Sequence, residues 1–358
     1  IRDVERSRGL GDVYKRQYLD KAVISDKEGI CSTDFIVTTP MKSKVLPFYL
    51  IYFLHTKSFV NYSTSMMKGV HLPRVSWTII KKAKISIPFR NGKPDLEIQK
   101  KIVEYIGANF SRIDKVLEKK KKELEKLDEL GESVLEQAFK PKEGEEWREV
   151  RLKEVVKEAK SGFALSKRKR MKVSSDDGIP QLRPYNIINW NKIDFSEMTY
   201  VPKTMEDVED YFIRDGDVLF NNTNSIELVG RAAVFKESSE NYTYSNHITR
   251  LRIKNPYFPE YVSWAINSLW LKGVFYLKAT KWIGQAGISN KKLLSIKIPI
   301  PFHNNQPDLE RQKEIANYLD SVYEKIKTLK EKIQNQISKL EEMKESILDE
   351  AFNHDETK

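Results

Sequence analysis

The sequence predicts an α+β protein made of two copies of one plan, each a mostly strand domain followed by a long helix. Three observations predict it: an internal repeat, a heptad pattern closing each copy, and short β-rich runs separated by turn residues.

The repeat comes first because it sets the architecture. Lys84-Ile85-Ser86-Ile87-Pro88-Phe89 returns 213 positions later as Lys297-Ile298-Pro299-Ile300-Pro301-Phe302. At the same spacing Pro94-Asp95-Leu96-Glu97 returns as Pro307-Asp308-Leu309-Glu310, Gln99-Lys100 as Gln312-Lys313, and Ala138-Phe139 as Ala351-Phe352. With short gaps the match reaches upstream, where Pro47-Phe48-Tyr49-Leu50 faces Pro259-Glu260-Tyr261-Val262 and Val75-Ser76 faces Ile288-Ser289. The expected domains are 18–93 and 147–306, each followed by a spacer helix, 94–140 and 307–352. Residues 1–17 match nothing in the second copy. We expect them to be an unrelated leader ahead of a first domain without its front part, the alternative being a naturally shorter domain.

The helices are read from their seams. Ile106, Ile113, Leu127 and Val134 occupy one heptad position and Phe110, Leu117, Leu124 and Ala138 the other, with Lys120 and Gly131 as interruptions. The second seam runs through Leu319, Ile326, Ile333, Leu340 and Ile347, with Tyr323, Ile337 and Ala351. Asp95, Glu97, Asp308 and Glu310 suit the positive end of a helix, and Pro141 stops the first one. Lys119 to Lys122 is a solvated helix face or a phosphate contact. Between the helices, Val218-Leu219-Phe220, Ala232 to Phe235 and Ile248 to Ile253 read as strands, and Phe258 to Leu271 as a helix.

Composition narrows the classes. The chain has 358 residues, 40% hydrophobic and 32% charged, with a net charge of +11 that favours a polyanionic partner. The longest apolar run, Val45 to Leu54, is far short of the roughly 20 residues of a bilayer span. A single cysteine, Cys31, excludes an internal disulfide and a thiolate metal cluster, and the cytoplasm is the expected compartment.

These residues carry a resemblance. Trp147 to Leu152 with Ser161-Gly162, Gly178-Ile179-Pro180 with Leu182-Arg183, and above all Asp215 to Phe220 followed by Gly230-Arg231-Ala232-Ala233 resemble a recognition domain of the specificity (S) subunits of Type I restriction–modification systems. Ile298-Pro299-Ile300-Pro301 through Gln312-Lys313 is similar to that family's Pro-rich entry into its spacer helix. Arg311, and Ile98 in the first copy, interrupt the usual Glu-Gln pair. The resemblance implies two target-recognition domains joined by long helices that form an antiparallel coiled coil. Each domain reads half of a split site in double-stranded DNA, and the helices set the gap. It also implies methyltransferase (M) and restriction (R) motor-nuclease subunits as partners, with S-adenosylmethionine, ATP and Mg²⁺ on those partners and no cofactor in this chain.

No catalytic constellation competes with that reading. There is no phosphate-binding Gly-rich loop ending in Lys-Ser or Lys-Thr. Asn255-Pro256-Tyr257-Phe258 lacks the second proline of an adenine-methyltransferase loop, and the five histidines are scattered without metal-ligand spacing. Candidate DNA contacts are Lys167, Arg168, Lys169, Arg170 and Lys172, a basic loop suited to phosphates or an ordinary solvated one. Base reading needs forked donors and acceptors. Arg183, Tyr185, Asn186, Arg231 and the polar run Asn221, Asn222, Thr223, Asn224 and Ser225 could supply them, although Asn and Ser also form turns. Lys281, Trp282 and Gln285 are further candidates, Trp282 alternatively packing inward. The rival functions are a non-restriction architectural DNA-binding protein and a coiled-coil assembly scaffold.

Overall fold

The computed structural model describes residues 22–25, 27, 29–32, 35–67, 75–165, 178–204, 206–236 and 240–352. In chain order, α1 (Pro47–Leu54), α2 (Lys57–Ser65) and α3 (Trp77–Ile80) precede a hairpin, β1 (Phe89–Arg90) and β2 (Lys93–Pro94), that feeds the long helix α4 (Leu96–Ala138). Next come β3 (Glu146–Arg151), α5 (Leu152–Val155), β4 (Val156–Ser161), β5 (Gly178–Leu182), β6 (Ile187–Ile188), β7 (Lys192–Ile193) and β8 (Thr199–Pro202). The strands continue with β9 (Val218–Asn221), β10 (Thr223–Asn224), β11 (Ala232–Val234), β12 (Thr243–Tyr244) and β13 (Ile248–Ile253). The second copy closes through α6 (Pro259–Leu271), α7 (Val274–Lys278), β14 (Thr280–Trp282), β15 (Gln285–Gly287), α8 (Asn290–Leu294), β16 (Lys297–His303), β17 (Gln306–Pro307) and α9 (Leu309–Phe352).

Local chemistry explains why both long helices begin where they do. Phe89 pairs with Pro94, and Phe302 with Pro307, in hairpins of identical register. The aspartate after each hairpin caps the helix. Asp95 Oδ1 accepts the backbone N–H groups of Glu97 and Ile98, both at 3.1 Å, and Asp308 Oδ1 accepts that of Arg311 at 2.9 Å. A carboxylate there satisfies first-turn donors that no helical carbonyl reaches.

The two units divide each long helix between them. Residues 1–124 with 331–358 make one unit, and residues 125–330 the other. In the first, Tyr49 and Phe53 of α1 bury against Ile106, Ile113 and Leu117 of α4 and Ile347, Ala351 and Phe352 of α9. Lys344 pairs with Asp114 at 2.9 Å and lies over the Phe110 ring at 4.5 Å.

In the second unit a four-stranded sheet, β11-β9-β13-β4, is antiparallel throughout. Its strands β9 and β11 are buried, and α6 packs on them with Tyr261, Val262 and Trp264 fully enclosed. A smaller sheet, β17-β16-β3, ties the start of this domain to its end. Two further three-stranded sheets are β12-β5-β8 and β10-β15-β14. The helices here run antiparallel: α4 partners fall from Gly131 to Asp128 as α9 climbs from Tyr323 to Lys330. The glycine that interrupts the first heptad seam has a reason. A Cβ on Gly131 would lie 3.1 Å from the Tyr323 ring, whose hydroxyl donates to the Gly131 carbonyl.

Among the described residues no helix is long and apolar enough to cross a membrane.

Candidate nucleic-acid interface

Strand β9 lies between β11 and β13, with Asn221 opposite Ile248 at its end. The chain then turns out of that sheet into β10. The turn is held by side chains that looked like base readers in the sequence. Asn221 is 1% exposed and donates from Nδ2 to the Leu228 carbonyl at 3.3 Å. Asn222 is 6% exposed; its Nδ2 donates to Thr249 Oγ1 at 3.0 Å and to the Asn246 carbonyl at 3.2 Å, while its Oδ1 accepts from the Thr223 hydroxyl at 2.7 Å. Both are therefore corrected from DNA-reading to structural residues: their side chains are buried and their Nδ2 groups bond within the protein, although Asn221 Oδ1 is buried with no partner among the described residues.

Beyond them, Thr223 and Asn224 form the edge of the small sheet β10-β15-β14. Thr223 faces Gly287 and Asn224 faces Ala286; on the other side of β15, Lys281 faces Ala286 and Trp282 faces Gln285. Two candidate groups almost sixty residues apart in sequence thus share one sheet. Gly284, at φ +78°, makes the tight turn between β14 and β15. A Cβ on Gly287 would sit 2.9 Å from the Trp282 ring, so the indole lies directly on the backbone of β15 yet remains 57% exposed. The Lys281 ammonium rests over the Tyr276 ring at 4.2 Å. Lys292 Nζ braces the ribbon's base, donating to the Lys278 carbonyl and to Thr280 Oγ1, both at 3.0 Å. Gln285 is exposed on this ribbon, and Ser225, half-buried, gives its N–H to Asn224 Oδ1 at 2.8 Å.

The remaining candidates fall elsewhere. Asn186 is 1% exposed: its Oδ1 accepts from the Arg183 N–H at 2.8 Å, and its Nδ2 donates to the carbonyls of Asp194 and Glu197 at 2.7 and 2.9 Å. It too is corrected to a loop-building residue. Tyr185 is exposed with its hydroxyl 3.0 Å from Thr199 Oγ1, and Arg183 is half-buried beside Gln181. Arg231 stacks on the Trp270 ring at 4.5 Å, and burial holds its pKa below the ordinary value. Its guanidinium is thus engaged with protein rather than projected outward. Lys167, Arg168, Lys169, Arg170 and Lys172 lie outside the described residues.

A second basic stretch is less conspicuous in the sequence. From Tyr261 to Pro307 the sequence contains no Asp or Glu and six lysines, at 272, 278, 281, 291, 292 and 297. All six side chains are exposed. Lysines spread thinly among apolar residues lack the density of the 167–170 run, so a search for clusters passes over them, although the missing acids make the potential equally one-sided.

The rival chemistries find no support in the geometry. Asn255 to Phe258 forms the entry to α6, with Phe258 as its N-cap and the Phe258 N–H donating to Gln312 Oε1 at 3.0 Å. Among the described residues no group of three His, Cys, Asp or Glu side chains is arranged to hold a metal ion.

Comparison with known proteins agrees with this layout. The family model described as the Type I restriction modification DNA specificity domain matches residues 17–126 and 144–339. The putative type I restriction enzyme MjaX specificity subunit of Methanocaldococcus jannaschii is 29% identical over 210 residues, 58% of this chain and 46% of that protein. The EcoKI specificity subunit of Escherichia coli K12 is 22% identical over 280 residues, 75% of this chain and 57% of that one. The chain thus spans about half the length of these curated relatives. A solved chain from work on the complex assembly and conformational transition of the type I R-M system shares the fold, with a TM-score of 0.64 at 20% identity, covering 86% of this chain and 71% of that one.

Proposed function

Because this chain belongs to the Type I restriction modification DNA specificity family, we propose that it recognises a sequence in double-stranded DNA and directs methyltransferase (M) and restriction (R) motor-nuclease subunits to it. The observation that carries this reading is the β10-β15-β14 sheet, where Thr223 and Asn224 share one sheet with Lys281, Trp282 and Gln285, the last three on a segment without acids. Polar forked groups on a rigid strand, ringed by lysines, suit a duplex: the cations hold phosphates and the side chains reach base edges. On this reading the chain catalyses nothing itself. S-adenosylmethionine, ATP and Mg²⁺ are used by the partner subunits, and the complex works in the cytoplasm. The antiparallel helices are the frame on which those subunits assemble.

Selection of bound duplexes from a random pool tests the reading directly. The full chain should return a short motif, with an affinity that falls steeply as salt rises. Thr223→Ala or Asn224→Ala should relax one position of that motif at a cost of about 1–3 kcal/mol of discrimination. Alanine at Lys167, Arg168, Lys169 and Arg170 together should weaken binding to all duplexes and flatten the salt dependence by about 0.9 log unit for each phosphate no longer neutralised. The chain should also co-purify with a methyltransferase subunit expressed beside it. Absence of salt-dependent binding to any duplex would leave the scaffold reading in its place.

A further inference from the structure

The tip of the β14-β15 ribbon is apolar where a soluble hairpin ordinarily ends in polar residues. Its turn is Ile283-Gly284. Ile283 is wholly exposed, and Trp282 beside it is more than half exposed. Ordinary surface exposure of one isoleucine needs no explanation. Three features set this one apart.

The ribbon is stiff. Trp282 lies on Gly287, Lys292 fastens the base at two points, and β10 flanks β15 on its second edge. The tip is therefore presented rather than left to collapse onto the body. Its own segment is cationic: Lys278, Lys281, Lys291 and Lys292 are exposed, and the nearest acids along that segment are Glu260 and Asp308, although the loop that follows β10 carries the exposed Glu227. Finally, it belongs to the same sheet as Thr223 and Asn224, so a duplex read by those residues lies within the ribbon's reach. An apolar tip on a ribbon with Lys281 along it and Lys278 and Lys292 at its base fits a partner that is anionic outside and apolar within. Stacked base pairs behind a phosphate backbone have that character, and apolar wedges between base steps are a known way of kinking a duplex.

We propose that Ile283, supported by Trp282, is a wedge that enters a base step of the bound DNA and partly unstacks it. This rests on the DNA-binding reading above and adds to it a distortion of the duplex. It follows that the bound sequence includes, at the wedge, a step that unstacks cheaply, a pyrimidine–purine step such as TA or CA/TG. Recognition there comes from deformability rather than from a hydrogen bond.

The test uses the full chain and the duplex recovered by selection, with 2-aminopurine placed in turn at each position. The wild-type chain should raise 2-aminopurine fluorescence at one step, and that step should be pyrimidine–purine. Ile283→Ser, which changes a side chain that touches nothing in the fold, should abolish the rise and weaken binding about tenfold. Ile283→Leu should restore both. A wild-type complex with unchanged fluorescence at every position overturns the wedge, as does Ile283→Ser binding with undiminished affinity and the same fluorescence rise. If Ile283→Ser leaves DNA binding intact but no longer retains a co-expressed methyltransferase subunit, the tip is a protein-docking point and the wedge is wrong. Failure of the wild-type chain to bind any duplex is a separate outcome: it removes the DNA reading itself, and the wedge with it.

Discussion

In the first unit Tyr49 of α1 meets the Phe352 ring of α9 with centroids 4.8 Å apart; in the second, Tyr261 of α6 meets Phe139, the residue after α4, at 5.3 Å. Both tyrosine hydroxyls donate at 2.8 Å to a backbone carbonyl of the Pro-rich segment, Ser86 in one case and Pro299 in the other. A buried glutamine of the long helix accepts the N–H of the residue capping the short one, Gln99 from Leu46 at 2.9 Å and Gln312 from Phe258 at 3.0 Å. The repeated residues thus make the same joint twice, and in each unit the last turn of the other repeat's helix completes it.

The difference lies beside the joint. In the second unit Tyr323 stacks on Trp264 at 4.7 Å and on Trp190 at 4.4 Å, with Trp190 carried by the turn between β6 and β7. At the matching place in the first unit Phe110 meets Tyr52 edge-on at 5.8 Å and is covered by Lys344, beside a groove of about 430 Å³ lined by Phe48, Ile51 and Leu348. Backbone anchors travel with the short repeated motifs, whereas dense packing draws on the whole domain around them.

The largest contrast should come from cutting that packing. Trp264→Ala removes a fully buried ring whose Nε1–H also donates to Asp320 at 3.0 Å, and should cost the second unit about 3–5 kcal/mol. Tyr52→Ala, at a half-buried ring, should cost the first unit only about 1–1.5 kcal/mol. Amide hydrogen exchange followed separately in each unit reads both numbers. Equal destabilisation would break the distinction between a dense and a loose joint.

A smaller effect tests the shared part. Gln99→Leu and Gln312→Leu each orphan a buried N–H and should cost about 1–3 kcal/mol. The Gln99 change should be the worse of the two, because its Nε2 also donates to the Lys44 carbonyl at 2.9 Å, while Gln312 Nε2 is buried with no partner among the described residues. Faster exchange of the Leu46 and Phe258 amides in the respective variants would show the effect at its source. A neutral result at either site would mean the two joints are alike in sequence only.

The smallest effect belongs to the interface. Lys281→Ala should reduce the slope of log affinity against log salt by about 0.9, the share of a single phosphate, with the selected motif unchanged. An unaltered slope would place Lys281, and with it this side of the ribbon, outside the DNA contact.

By itself the sequence determined the duplication, the extent and caps of both long helices, the strands β9, β11 and β13, the helix α6 and the family. Each depends on periodicity, on residues a few positions apart, or on a literal repeat, and none requires knowing what lies across space. Only the tertiary structure decided which polar residues could face a ligand. Asn186, Asn221 and Asn222 look like Asn224 in sequence, but partners outside their own turns, from Leu228 and Asp194 nearby to Thr249 farther along, draw the first three inward and leave Asn224 at a sheet edge. It also decided that Asn224 and Lys281 would share a sheet in register, because β15 pairs with both β10 and β14 and Ala286 faces each of them. The physical reason is common to both: burial and strand neighbours are set by contacts between distant parts of the chain, and a side chain's type says what it can bond, never which partner reaches it first.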